Sequence, residues 1–235
     1  MRALLLAGGY GTRLRPLTDT IPKCLVPIKG VPLLEIWLRR LSAENIGPFL
    51  INTHHLADSV ESFISVSHYR DKIKLVHEKN LLGTAGTLAA NLSFFDGDDG
   101  LLIHADNYCM ADLSAFQLAH SNRPKGCLLT MLTFRTQEPS SCGIVELDGN
   151  GVVTQFHEKV SNPPSDVANG AVYILSEELL EMFNNEFSTM TDFSTEVLPK
   201  LLGRIYIYRT NEAFIDIGTP ANYKLANTMP IDFVK

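Results

Sequence analysis

No stretch of the sequence reaches the roughly 18 consecutive apolar residues that span a bilayer. The apolar run at the N-terminus ends at Gly8 after about six residues, short of the apolar core of a secretory leader. A membrane protein is therefore not expected, and a cytoplasmic location is. Cysteine is scarce: Cys24, Cys109, Cys127 and Cys142 include no C-x-x-C pair, which excludes a zinc knuckle and a dense disulfide framework. Free, mostly buried thiols in a reducing compartment are the expectation. His54, His55, His68, His77, His104, His120 and His157 show no H-x-x-x-H or H-E-x-x-H spacing, so no histidine metal centre is expected. Positive charge is in deficit, with 20 Lys and Arg against 26 Asp and Glu and a net charge of -6. A polyanion would meet a mildly repulsive surface, so nucleic acid is not an expected partner. Internal repeats and low-complexity linkers are also missing.

What is present suffices for one large domain with a sizeable core: 235 residues, 45% apolar and 20% charged. "RALLLA" lacks polar alternation and predicts a short buried strand. In "PLLEIWLRRLSAENI", Leu33, Leu34, Trp37, Leu38 and Leu41 recur at helical spacing, and Gly47 and Pro48 end the helix. Strands are predicted at "FLINT", "IKLVHE", "GLLIHADNY" and "CLLTMLTF", and helices at "LADSVESFISV", "GTAGTLAANLSFF" and "DLSAFQLAHS". That alternation predicts an α/β fold, a Rossmann-like open, mostly parallel sheet flanked by helices. Further on, "CGIVELDGNGVVTQFHEK" predicts a hairpin about Gly-Asn-Gly. "NGAVYILS", "IYIYRT" and "AFIDIGTP" read as strands, and "EELLEMF", "FSTEVLPKLL" and "PANYKLAN" as helices.

The chemistry concentrates in "LLLAGGYGTRLRPLTDTIPKCLVPIKGVP". Ligands of open α/β sheets bind beyond the carboxyl ends of strands, and the turn after Ala7 lies there. Gly8, Gly9 and Gly11 let the backbone approach a ligand and offer N–H groups to phosphate oxygens. Arg13 can grip phosphate with two parallel hydrogen bonds, and Lys23 can place a point charge. Together these features suit a nucleoside triphosphate. Glycines alone would as readily make a sharp turn; Arg13, Pro22-Lys23 and Pro27 behind them favour the ligand. Neither a G-x-G-x-x-G fingerprint nor a P-loop is present.

"LAGGYGTRLRPLT" followed by "PKCLVPIKGVPLLE" resembles the signature of the sugar-1-phosphate nucleotidyltransferases. Their pattern is G-G-x-G-T-R-L-x-P-L-T, then P-K-P-[LM]-[VL]-P-[VI]. The motif is long and specific, the likeness continues to Tyr223, and Cys24 stands where proline is usual. The resemblance implies a nucleotide-diphospho-sugar transferase fold and transfer of a nucleotidyl group. A sugar 1-phosphate oxygen attacks the α-phosphorus of an NTP and pyrophosphate leaves. It implies one domain over residues 1–235, with a nucleotide-binding half over about 1–135 and a sugar-phosphate half over about 136–228.

Site residues follow from the same resemblance. Leu6, Ala7, Gly8, Gly9, Gly11 and Thr12 would bind nucleotide, with Gly83 and Thr84 of "LLGTAGTL" on the base and ribose. Arg13 would stabilise the triphosphate and departing pyrophosphate, and Lys23 would hold the α-phosphate and the attacking phosphate. Asp106 of "LLIHADNY" and Asp216 of "FIDIGTP" match metal-binding aspartates and would hold Mg²⁺, Asp106 being catalytic in that sense. Gly143 of "CGIVE", Glu158 and Lys159 of "FHEKV" and Asn169 of "ANGAVYILS" match the sugar-phosphate contacts, with Val160 replacing a usual proline. Taken singly, either aspartate would more often be a turn residue, Glu158-Lys159 a solvated pair and Asn169-Gly170 a turn.

The "LGTAG" segment resembles guanylyltransferases and some uridylyltransferases. GTP with mannose 1-phosphate or a heptose 1-phosphate is the first expectation. Uridylyl transfer to glucose 1-phosphate or N-acetylmuramic acid 1-phosphate is the alternative. A non-catalytic sugar-nucleotide-binding regulator is the reading from another class; such members tend to lose the arginine, lysine or aspartates that are all present here. The expected partners are these small molecules, and self-association is left open.

Overall fold

The computed structural model describes residues 1–231. Its elements begin with β1 (Arg2–Leu6), β2 (Pro27–Ile28), β3 (Val31–Pro32), α1 (Leu33–Ala43), β4 (Phe49–Thr53), α2 (Ala57–Ser65), β5 (Ile73–His77) and α3 (Gly83–Ala90). Next come β6 (Gly100–His104), β7 (Asn107–Cys109), α4 (Leu113–Ser121), β8 (Leu129–Arg135), β9 (Gly143–Leu147) and β10 (Val153–Glu158). The chain continues through β11 (Val167–Leu175), α5 (Glu177–Phe183), β12 (Ile205–Arg209), β13 (Phe214–Asp216) and α6 (Pro220–Ala226). No helix among the described residues is long and apolar enough to cross a membrane. Two compact units emerge among the described residues: 1–81, 103–113 and 212–231 form the first, and 82–102 with 114–211 the second.

In the first unit, β1, β4 and β5 are parallel, with Leu5 opposite Ile51 and Ile51 opposite Leu75. β4 is buried along its whole length, its Phe49–Ile51 run being apolar on both faces as a covered strand requires. Helix α1 turns Leu33, Leu34, Ile36, Trp37, Leu38 and Leu41 inward. Each such buried side chain stabilises the unit by roughly 1.5–3 kcal/mol relative to exposure. The indole of Trp37 is buried at no polar cost, because its N–H donates to the Asn107 carbonyl at 2.9 Å. Being parallel, the three strands end at one edge, and Gly8, His54 and Glu78 follow there.

The second unit is more antiparallel. β8 runs against β11 and alongside β12, with Met131 between Tyr173 and Ile207. β9 and β10 form the predicted hairpin, with Gly143 opposite Glu158. Its turn is set by the Asp148 carboxylate, which accepts from the Asn150 and Val152 N–H groups at 2.8 and 2.9 Å. Helix α5 starts at Ser176, whose hydroxyl accepts from the Leu179 N–H.

The α/β class and an open sheet flanked by helices are as the sequence predicts, with parallel pairing concentrated in the first unit. Three local readings are corrected. "GLLIHADNY" is not one strand: it breaks at Ala105–Asp106, and Asn107–Cys109 leaves to pair antiparallel with β13. "FSTEVLPKLL" is a five-residue π-helical turn over Phe193–Val197 and then a 3-10 turn, since Pro199 has no N–H to continue an α-helical ladder. The helix from Gly83 stops at Ala90, where the Asn91 side chain donates to the Thr87 carbonyl.

Candidate active site

Three glycines follow β1, and each is a glycine for a different reason. Gly11 has φ +61, and a Cβ there would lie 2.9 Å from the Thr18 methyl and 3.2 Å from the Lys23 Cβ. Its conformation and its neighbours both exclude a side chain. The Thr18 hydroxyl fastens this turn by donating to the Gly11 carbonyl at 2.7 Å. At Gly8 a Cβ would come within 3.1 Å of the Asn52 amide and of Leu81. At Gly9 nothing lies within 4 Å, so the absent side chain leaves open space. Leu6 and Ala7 lead into this turn, and Thr12 with Arg13 forms the 3-10 turn behind it.

Lys23 joins the two aspartates. Its ammonium donates to Asp106 Oδ2 at 2.7 Å and to Asp216 Oδ1 at 3.1 Å, across 83 and 193 residues of sequence. Arg13 Nη2 stands 3.6 Å from the other Asp216 oxygen. The β6 break carries Asp106 out of the sheet, while the β7–β13 register sets Asp216 opposite Asn107. Those two features deliver both carboxylates to one ammonium. The Lys23 side chain is only 8% exposed, against 36% for Asp106 and 46% for Asp216. The lysine is thus the buried member, with its partners opening to solvent.

The titration of these groups follows from that geometry. Burial works against a charged Lys23, but Asp106 and Asp216 outweigh it and hold the ammonium above the ordinary lysine pKa. Burial also works against an ionised Asp106, but Lys23, with His104 adding to it, holds the carboxyl below the ordinary carboxylate value. Burial and the Asp106 charge push the nearby Cys24 thiol up to about 12, so it stays protonated and inert. Two hard carboxylates converging on one cationic point suit a hard divalent ion that takes its remaining oxygens from phosphate and water. Among the described residues, no group of three or more His, Cys, Asp or Glu could by itself hold a metal.

Sequence reasoning missed two supports of this unit. Asn52, buried at the end of β4, accepts from the Ala7 N–H at 2.8 Å and donates to the Glu78 carboxylate at 3.0 Å. Gly218 makes room for the guanidinium: a Cβ there would lie 2.8 Å from Arg13 Nη2 and 3.0 Å from Asp216 Oδ2. Their signals were a lone asparagine in the apolar "FLINT" and the glycine two residues after Asp216. His54 bonds the Glu78 backbone carbonyl through Nδ1 and the Tyr10 hydroxyl through Nε2.

The remaining candidates lie in the second unit. A Cβ on Gly143 would lie 2.7 Å from Glu158 Oε2 and from the Phe156 ring. Lys159 pairs with Glu158 at 3.1 Å and donates its backbone N–H to the Cys142 carbonyl. Gly143, Glu158 and Lys159 therefore form one cluster at the end of the hairpin. The Asn169 side chain accepts from the Ala171 N–H at 2.9 Å and donates to the buried Tyr173 hydroxyl at 2.7 Å. This local loop bulges β11 and leaves Ala171 at φ +52. At Gly83, with φ +81, a Cβ would meet the Thr191 carbonyl at 2.3 Å. The Thr84 hydroxyl accepts from the Phe193 N–H at 2.7 Å. The close approach at Gly83 is thus made by the protein's own backbone.

The family model described as nucleotidyl transferase matches residues 2–230. The chain belongs to the nucleotidyl transferase family. The chain is 30% identical over 224 residues to the D-glycero-alpha-D-manno-heptose 1-phosphate guanylyltransferase of Campylobacter jejuni, covering 95% of its own length and 97% of that relative. It is also 30% identical over 226 residues to the mannose-1-phosphate guanylyltransferase of Mycobacterium tuberculosis, covering 94% of its own length and 62% of that relative. Across four curated relatives it matches, the chain spans 60–62% of their length. The crystal structure of HddC from Yersinia pseudotuberculosis superposes with a TM-score of 0.81 at 25% identity, over 97% of this chain and 98% of HddC.

Proposed function

We propose that this chain transfers a nucleotidyl group from an NTP to a sugar 1-phosphate with release of pyrophosphate, using GTP and mannose 1-phosphate or a heptose 1-phosphate. One observation carries the reading: Lys23 bound between Asp106 and Asp216, with Arg13 against Asp216, in the unit that holds the glycine turn. The two guanylyltransferase relatives support the choice of base and of manno-configured sugar.

The physical problem is the approach of one phosphate anion to another. Positioning and charge neutralisation then make up most of the catalysis. Asp106 and Asp216 would hold Mg²⁺, which when bound neutralises phosphate oxygens and polarises the phosphorus they surround. Lys23 supplies a buried, permanently protonated ammonium; transferred from aspartate to phosphate oxygen, it stabilises the α-phosphate and the attacking phosphate. Arg13 faces solvent beside Asp216 and binds the triphosphate and the departing pyrophosphate. The open space at Gly9 admits phosphate oxygens to backbone N–H groups. In the second unit, Gly143, Glu158, Lys159 and Asn169 take the sugar phosphate: Glu158 and Asn169 its hydroxyls, Lys159 its phosphate. Gly83 and Thr84 serve the base and ribose.

The test is pyrophosphate release with Mg²⁺ across four NTPs and a panel of sugar 1-phosphates. Turnover is expected with GTP and mannose 1-phosphate or a heptose 1-phosphate. Turnover with UTP and glucose 1-phosphate would replace the substrate pair. Binding of a sugar nucleotide with no pyrophosphate from any pair would refute the enzyme reading and favour a regulator.

A further inference from the structure

Four consecutive residues of the second unit, Thr191–Ser194, touch both sets of proposed substrate residues. On one side, the Thr191 carbonyl accepts from the Ala85 N–H at 2.9 Å and the Gly86 N–H at 3.5 Å. These are orphan donors of the first turn of α3, so Thr191 caps that helix with a carbonyl. Phe193 adds its N–H to the Thr84 hydroxyl at 2.7 Å. On the other side, the Phe193 ring packs 4.8 Å from the Tyr173 ring, both fully buried. The Tyr173 hydroxyl in turn accepts from Asn169 Nδ2 at 2.7 Å. One turn of chain therefore holds Thr84 by a hydrogen bond and, by ring packing, the Tyr173 that holds Asn169.

That turn is held from outside. Glu196 Oε2 accepts from the Thr191 N–H at 2.6 Å, the Thr191 hydroxyl at 3.2 Å and the Asp192 N–H at 2.9 Å. The Asp192 carboxylate accepts in return from the Thr195 N–H and hydroxyl at 2.8 and 2.9 Å. Glu196 is exposed, and the bonds it makes run to the turn alone among those described. A surface carboxylate that only shortened a loop would have no kinetic consequence.

We infer that Thr191–Ser194 is a positioning strap which fixes the nucleotide-side Thr84 and the sugar-side Asn169 against each other, and that Glu196 is the positioning residue which holds it taut. The inference rests on the proposed function for the roles of Thr84 and Asn169. Its geometry stands without that function. Binding of either substrate to a strap already ordered by the other costs less ordering, so the two substrates should bind cooperatively.

Glu196→Ala, Glu196→Gln and Phe193→Leu in the full chain test this. Hydrogen exchange of the 83–90 segment needs no substrate. It should accelerate about tenfold in Glu196→Ala at unchanged exchange elsewhere, and return towards wild type in Glu196→Gln, which still accepts a hydrogen bond. With substrates, Glu196→Ala should raise KM for the NTP and for the sugar 1-phosphate about fivefold each, with kcat within about twofold. Phe193→Leu, which removes the ring contact to Tyr173 and keeps the backbone N–H on Thr84, should raise only the sugar 1-phosphate KM in NTP-saturated assays. Unchanged exchange in Glu196→Ala, or accelerated exchange with both KM values at wild type, overturns the strap. A wild type that turns over no substrate pair, yet shows the exchange response, overturns the proposed function and leaves the strap as fold geometry. Should Glu196→Ala fail to fold, Phe193→Leu decides by its KM split.

Discussion

Replacing Gly83 with alanine should damage the fold before any ligand is added, whereas the same change at Gly9 should damage only ligand binding. At Gly83 the φ of +81 places an L-residue in the left-handed region, a cost of about 1–2 kcal/mol. The new Cβ would sit 2.3 Å from the Thr191 carbonyl, a backbone atom without rotamers to escape through. The strap must then lift from α3, breaking the bonds from Ala85 N–H to Thr191 and from Phe193 N–H to Thr84. At about 1 kcal/mol each, these bring the expected loss to roughly 3–4 kcal/mol. At Gly9 a Cβ meets nothing within 4 Å. Stability there should stay within about 0.5 kcal/mol of wild type, while NTP affinity falls. Urea unfolding followed by far-ultraviolet circular dichroism, without substrates, reads the first effect as a lower midpoint at constant slope. Titration with a non-hydrolysable NTP reads the second. A Gly83→Ala midpoint equal to that of Gly9→Ala would refute the claim that the protein's own backbone requires the first glycine.

Asp106→Asn should cut turnover about 100-fold or more while the chain still folds, because the carboxylate faces solvent; wild-type pyrophosphate release would remove it from the mechanism. The same variant tests the charge pair by pH. Asp106 has a depressed pKa, so its stabilisation, about 1 kcal/mol at this exposure, is present above about pH 4 and lost as pH falls through the lowered value. Lys23 has a raised pKa, so its share persists below about pH 10 and is lost as pH rises through the raised value. The urea midpoints of wild type and Asp106→Asn should therefore converge in acid, and a gap that stays constant below pH 3 contradicts the pair. Ala171→Gly should raise stability by about 0.5–1 kcal/mol, since Ala171 holds φ +52; a loss in thermal unfolding would refute strain at the bulge. Iodoacetamide at pH 8 should label Cys142 first, because Cys24, Cys109 and Cys127 are buried and burial pushes the Cys109 thiol up to about 11. Mass spectra showing Cys24 or Cys109 modified ahead of Cys142 would contradict that order.

The sheet and helices were legible because burial on both faces leaves unbroken apolar runs and burial on one helix face leaves a 3.6 period. "FLINT" and "EELLEMF" match β4 and α5 residue for residue. The segment from Thr12 to Leu25 was not legible: it folds as three 3-10 turns set by Gly11, prolines and the Thr18 hydroxyl, none with a period. The break at Asp106 escaped because Asn107–Cys109 is as strand-like as what precedes it, and only its pairing with β13 takes it elsewhere. At the site, the aspartates, Lys23 and Arg13 could be named from a motif, but their convergence is a property of register. The glycines show the sharper limit. Composition says that something comes close at Gly8, Gly11 and Gly83, and it cannot say that the visitor is Asn52, Lys23 or Thr191.

The short ladder between β7 and β13 has a consequence for synthesis. A ribosome emits Lys23 and Asp106 well before it emits Asp216, so the growing chain can seat the ammonium on its first counter-ion while the second is still untranslated. A message truncated between the codons for Arg209 and Phe214 would yield a protein with the strands of its large sheet in place and its charge cluster one carboxylate short.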